Sequence, residues 1–152
     1  MTEVFTGRCL CGAVRYQCGA PVIPPCFCHC ESCRRASGSH VVAWATVARD
    51  TFRISGPVRS FASSPRVLRQ FCEQCGTPLT YRNEESAGAT AETIAETIAE
   101  TIAKTIAKTI DIAIATLDTP DAMEPVDHLW MEDAVGWDRP GDGRPQYGRS
   151  RL

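Results

Sequence analysis

At 152 residues, with a net charge of −2 and a pI near 5.9, the chain has the length of one modest domain. It lacks the basic excess that nucleic acid or an anionic membrane surface calls for. No run of about 18 apolar residues and no signal-like N-terminus is present, so a soluble, cytoplasmic protein without membrane or nucleic-acid partners is expected. Nine cysteines, an odd count, fit a reducing compartment better than a secreted disulfide scaffold.

In chain order, the first two thirds read as short strands broken by turns. Residues 12–18 alternate, with Val14 and Tyr16 on one face and Arg15 and Gln17 on the other. Pro21, Pro24 and Pro25 interrupt regular pairing. Residues 41–47 are β-branched and aromatic, the mark of a buried strand, and 52–54 follow. Gly56-Pro57 turns the chain before 58–61, 66–71 alternates again, and 79–81 follows the second CxxC. A last strand is expected over 110–117, IDIAIATL, and the Pro- and Gly-rich remainder reads as an irregular tail held by Trp130 and Trp137.

Residues 91–110 break this β pattern with five tetrapeptides, AETI three times and AKTI twice. A helix would stack Ile94, Ile98, Ile102, Ile106 and Ile110 on a drifting stripe and run from glutamates to lysines, as its dipole favours. Threonine and isoleucine are weak helix formers, so a protruding helix or a partly disordered segment is expected. Its place is a hairpin connection between Tyr81 and Ile112. No residue in it is suited to chemistry with the cysteines.

Seven cysteines fall into three clusters, Cys9-x-Cys11, Cys28-x-Cys30-x-x-Cys33 and Cys72-x-x-Cys75. Disulfides between such near neighbours close tiny, strained loops, whereas thiolates one to three residues apart can face one soft cation. Cys72 and Cys75, with Gly76 free to take φ > 0, form a zinc-knuckle pattern that Cys9 and Cys11 can complete. In an extended segment Cys9 and Cys11 share a face. The remaining cluster offers three thiolates, so a zinc ion there has net charge −1 and one vacant position. A closed site suggests structure and an open one suggests chemistry. Arg34 and Arg35 follow directly, and Arg34 is the candidate contact for a substrate anion. His29 is a possible fourth ligand, although it points away from Cys28 and Cys30 if the segment is extended. Cys26 might substitute within the cluster, Cys18 reads as a buried small hydrophobe, and His40 and His128 read as hydrogen-bonded structural residues.

GRCLCGAVRY at 7–16, CHCESCRRASGS at 28–39 and FCEQCGTPLTYR at 71–82 resemble the glutathione-dependent formaldehyde-activating (Gfa)/centromere protein V family. IDIAIATLD at 110–118, HLW at 128–130 and the region 137–147 are similar to it as well. The resemblance covers nearly the whole chain except the tetrapeptide array. It implies a mainly β fold, the β-tent of stacked antiparallel sheets around zinc, as a single domain over 1–152 with 91–110 inserted. It also implies two zinc ions, one structural on Cys9, Cys11, Cys72 and Cys75, and one catalytic on Cys28, Cys30 and Cys33. The activity it implies is S-(hydroxymethyl)glutathione synthase, a carbon–sulfur lyase in reverse, with glutathione or another small thiol or aldehyde adduct as partner. The competing reading is a non-catalytic zinc module that binds a protein or carries glutathione.

Overall fold

The structure, a computed structural model, describes residues 3–84 and 108–151. Two sheets dominate. Strands β1 (Phe5–Arg8), β2 (Arg15–Cys18) and β5 (Arg53–Ser55) form the smaller, antiparallel throughout. The larger has seven strands in the order β10-β3-β4-β9-β8-β7-β6. These are β3 (Cys26–Cys28), β4 (Val42–Ala48), β6 (Val58–Ser64), β7 (Val67–Cys72), β8 (Pro78–Asn83), β9 (Thr109–Ala113) and β10 (Asp127–Leu129). The mainly β architecture is thus as expected, and among the described strands one pair departs from antiparallel pairing. Strand β10, which the irregular tail was not expected to contain, runs parallel to β3.

Period-two alternation explains why the large sheet is apolar on both faces. Along β4, Ala43, Ala45 and Val47 join a core shared with Phe5, Val14, Tyr16 and Cys18 of the small-sheet side. Val42 and Trp44 face the other way, onto a second, smaller core with Cys28, Cys33 and Ala113. Strand β9 alternates in the same sense, with Ile110 and Ile112 in the first core and Ala113 in the second. One cysteine group therefore belongs to each core: Cys9 and Cys72 to the larger, Cys28 and Cys33 to the smaller.

Three expectations are corrected. The strand expected over 110–117 ends at Ala113, and Ile114–Thr116 is a 3-10 turn in which Thr116 Oγ1 donates to the Ala113 carbonyl at 2.7 Å. Trp130 and Trp137 do not anchor the tail, since Trp137 is 74% exposed and Trp130 37%. Buried Asp127 does, accepting from Arg151 Nε at 2.6 Å and Nη2 at 2.8 Å. The repeat at 91–110 lies outside the described residues as far as 107. Its last two residues, Thr109 and Ile110, open β9 rather than end a helix, because Ile110 is buried and pairs with Val47. Antiparallel pairing of β8 with β9 makes the connection that holds the repeat a hairpin, as expected.

Candidate active site

Two tight turns bring together Cys9, Cys11, Cys72 and Cys75, whose sulfurs all lie within 4.8 Å of one another. Cys9 and Cys11 do not sit on an extended strand. The chain turns after β1, with Gly12 N–H donating to the Cys9 carbonyl at 3.1 Å and Val14 N–H to the Cys9 sulfur at 3.3 Å. The second turn closes with Gly76 N–H on the Cys72 carbonyl at 2.9 Å, and Gly76 takes φ of 77°, the left-handed region a glycine enters without strain. Thr77 ties the turns together: its hydroxyl accepts from Leu10 N–H at 3.0 Å and lies 3.1 Å from the Cys75 sulfur. That contact helps push the Cys75 thiol down to about 5. A tetrahedral metal with bonds of about 2.3 Å to sulfur sets neighbouring sulfurs about 3.8 Å apart. Cys9 and Cys11 are at 3.5 Å and Cys11 and Cys72 at 3.8 Å, so the donor set fits such an ion.

The second group gathers Cys28 from the end of β3, Cys30, and Cys33 from helix α1 (Glu31–Ser37), their sulfurs again within 4.8 Å of one another. Cys30 is the N-cap, its sulfur accepting from Cys33 N–H at 3.3 Å. The segment after Cys30 is therefore helical, not extended. The signals for that were present in Glu31 at the start, Arg34 and Arg35 near the end, and Gly38 beyond, which closes the helix with φ of 70°. Hydrogen bonds from Cys28 and Cys30, with the Arg69 charge nearby, push Cys33 down. The same bonds, with burial, push Cys28 up. Three thiols held this close, with the Arg69 guanidinium beside one of them, make a soft donor set suited to a cation.

His29 points away from the sulfurs into a buried chain, its Nε2 2.9 Å from His128 Nδ1 and its Nδ1 3.1 Å from Asp138. His128 in turn lies 3.1 Å from Asp142, so both histidines are structural here. Cys26 is half-buried on the same strand face as Cys28 but outside the sulfur group, and burial pushes its thiol up to about 12. Cys18 is core, as expected.

Arg34 does not reach the sulfurs. It lines a third hollow of about 500 Å³ with Arg35, His40 and Trp137. The guanidinium beside the sulfurs is Arg69 of β7, with Nη1 and Nη2 each 3.9 Å from Cys33 Sγ. Ser63 Oγ accepts from its Nε at 3.2 Å, and the Tyr81 ring lies 4.9 Å from the guanidinium carbon. Register explains the placement. Thr46 pairs with Asp111, Asp111 with Tyr81, and Tyr81 with Arg69, one row of directly opposed residues across four strands. Thr46 Oγ1 donates to Asp111 Oδ1 at 2.5 Å, and burial pushes that carboxyl up to about 6.

Two cavities meet at Cys33. One, of about 530 Å³, is lined by Cys28, Cys30, Cys33, Tyr81, Asp111 and Arg69 among others. The other, of about 820 Å³, reaches Cys33, Trp44 and Arg69. A metal held by the three sulfurs would border the first cavity, and its ligand Cys33 would border both.

A family model described as glutathione-dependent formaldehyde-activating enzyme matches residues 4–99, a stretch that contains all seven clustered cysteines. The chain belongs to that family. An uncharacterized lyase of Schizosaccharomyces pombe is 31% identical over 77 residues, 51% of this chain and 56% of that relative. The chain thus spans about half the length of the curated relative it matches. A crystal structure of a Rhodobacter sphaeroides protein superposes with a TM-score of 0.52 at 15% identity, covering 93% of this chain and 98% of the other. That likeness concerns the fold alone. Within this Gfa-family chain, two cysteine groups can each hold a metal ion, and among the described residues no helix is long and apolar enough to cross a membrane.

Proposed function

We propose that this Gfa-family chain is a zinc-dependent carbon–sulfur lyase that forms and cleaves S-(hydroxymethyl)glutathione from glutathione and formaldehyde. Residues 1–152 act as one zinc domain, with 91–110 as an insertion within it. Cys9, Cys11, Cys72 and Cys75 are the structural ligands, and Cys28, Cys30 and Cys33 hold the second zinc with one corner free. The observation that carries this reading is the contrast between the two groups. Four sulfurs close one site, while three line an open cavity, Cys33 among them bordering a second, with no fourth donor in their group among the described residues.

Bound zinc supplies a Lewis acid that makes a thiol a thiolate at neutral pH. The chain's own residues supply the rest. Arg69 balances the net −1 of three thiolates on a divalent cation and leaves the cleft receptive to an anionic thiol. Sulfur adds to the carbonyl carbon, the C–S bond forms as the C=O π bond opens, and the oxygen takes a proton. Asp111, protonatable near neutrality and lining the same cavity, takes the proton that the thiol gives up and passes it to that oxygen, and runs the same transfer backwards in the reverse direction.

Metal content and thiol binding test this together. Purified protein should carry two zinc per chain, and Cys30→Ser should carry one and lose glutathione-dependent turnover. Cobalt-substituted protein should change its visible spectrum when glutathione is titrated in. Full turnover with one metal lost, or a spectrum indifferent to glutathione, would overturn the proposal in favour of a non-catalytic zinc module.

A further inference from the structure

The two cavities that meet at Cys33 differ in chemistry. The cavity of about 530 Å³ is edged by carboxylates, Glu31, Asp111 and Asp133, and by Arg69 and Arg151. A zwitterionic peptide thiol, with an ammonium and two carboxylates, meets groups of both signs there, and Arg69, Arg151 and Glu31 would share it with their present partners Cys33, Asp127 and Arg35. The cavity of about 820 Å³ contains no acidic residue in its lining. Its walls are largely apolar: Val41, Ala43, Phe61, Phe71, Ala113 and Ala115 among them. Its two cations are Arg35, paired with Glu31 at 2.8 Å, and Arg69, which lines both cavities. An ammonium placed there would lose water and meet no opposite charge among the described lining residues, only neutral hydroxyls and the Gln70 amide.

Formaldehyde has two heavy atoms and no use for such a volume. Cavities of about 300–1,000 Å³ are the size that encloses a drug-sized organic molecule. We infer that the carbonyl partner of this enzyme includes aldehydes larger than formaldehyde, whose alkyl or aryl group occupies the apolar cavity bounded by α1, β4, β7 and the turn after β9. The peptide thiol then lies in the charged cavity, and the reacting carbon sits between them beside Cys33. The step is the one already written: the thiol proton ends on the aldehyde oxygen, a C–S bond forms, and no further reactant is needed. This inference rests on the lyase reading above.

The test uses the full, zinc-loaded chain with glutathione and formaldehyde, butanal, hexanal or benzaldehyde. Exchange between aldehyde and hemithioacetal is followed by NMR and corrected for the uncatalysed rate. A buried methylene is worth about fourfold in affinity, so kcat/KM should rise at least tenfold from formaldehyde to hexanal. By the same argument S-hexylglutathione should bind at least tenfold more tightly than S-methylglutathione in calorimetry. Ala115→Trp, at an exposed position on the cavity wall, should reduce both ratios, and Phe61→Ala on the exposed strand β6 should reduce them without filling anything. Turnover of formaldehyde with no gain for longer aldehydes, or ratios that neither variant moves, overturns this inference and leaves the lyase reading intact. No aldehyde exchanged above background overturns both.

Discussion

Arg69 addresses Cys33 with both terminal nitrogens of its guanidinium, each 3.9 Å from the sulfur, while Ser63 and the Tyr81 ring hold it from two other sides. Donors aimed at a metal-binding thiolate withdraw charge from it and make the cation a stronger acid toward an incoming thiol. Replacing Arg69 by Met should therefore lower kcat/KM for glutathione about 10- to 100-fold, and Lys, which keeps the charge but not the fork, should recover only part of it. Zinc content and thermal midpoint, measured beside the kinetics, should change little. A matching loss of metal would instead make Arg69 a part of the site's scaffold.

The four-sulfur group ties the turn after β1 to the turn between β7 and β8, more than 60 residues apart. Cys72 is fully buried within the larger core. Metal held there contributes folding energy on the order of 10 kcal/mol, comparable to the whole stability of a small domain. Cys72→Ser should thus leave the chain largely unfolded by circular dichroism, whereas Cys30→Ser, beside an open cavity, should remain folded. A strong chelator should unfold the native protein with the same endpoint.

Which parts of this site were legible in the sequence follows from what kind of contact made them. The cysteine groups are local patterns, and Cys28, Cys30 and Cys33 converge because their spacing crosses from a strand end into the first turn of a helix. Alternation at Val14 and Tyr16, or along 41–47, likewise reports a buried face without knowledge of the partner. The Thr46–Asp111–Tyr81–Arg69 row is different, because it exists only once four strands are in register, with Thr46 and Asp111 65 residues apart. Arg34, adjacent in sequence to Cys33, looked the better candidate for that reason alone. Helix α1 turns it to the side away from the sulfurs, and its Nε is buried without a hydrogen-bond partner among the described residues.

Strand β10 borders the three-sulfur group, since Leu129 pairs with Cys28 and accepts a hydrogen bond from His29 N–H at 3.0 Å. It is fastened from the C-terminal end by the Asp127–Arg151 pair, whose side chains are 6% and 26% exposed. Removing one member of a buried pair strands the other charge, at a cost of about 3–5 kcal/mol. Arg151→Met should destabilise the protein by about 3 kcal/mol in urea unfolding, with Asp127→Asn, which leaves no stranded carboxylate, costing less. Truncation after residue 150 should reproduce the Arg151 effect.

Asp111 makes its own contribution to the pH dependence. Burial lifts its carboxyl from the ordinary value of 3.8 to about 6, against a smaller opposing effect of the Thr46 hydroxyl. The native state therefore holds a proton between pH 4 and 6 that the unfolded chain has released, and stability falls as pH rises through that window. Two pH units correspond to about 3 kcal/mol, fully present below pH 4 and lost above pH 6. Asp111→Asn keeps an acceptor for Thr46 and carries no charge. It should be the more stable protein at pH 8 by up to about 3 kcal/mol, with the difference vanishing near pH 4. The same variant should lose most turnover at every pH if the carboxyl passes the proton to the aldehyde oxygen. Chemical denaturation from pH 4 to 8, run on both proteins beside the exchange assay, separates the two effects. Because burial also lowers the pKa of His29, which makes stability rise with pH in the same interval, the reading is the difference between the two proteins, and a difference that does not grow from pH 4 to 8 would show the Asp111 carboxyl to be ionised and partnered in the native state.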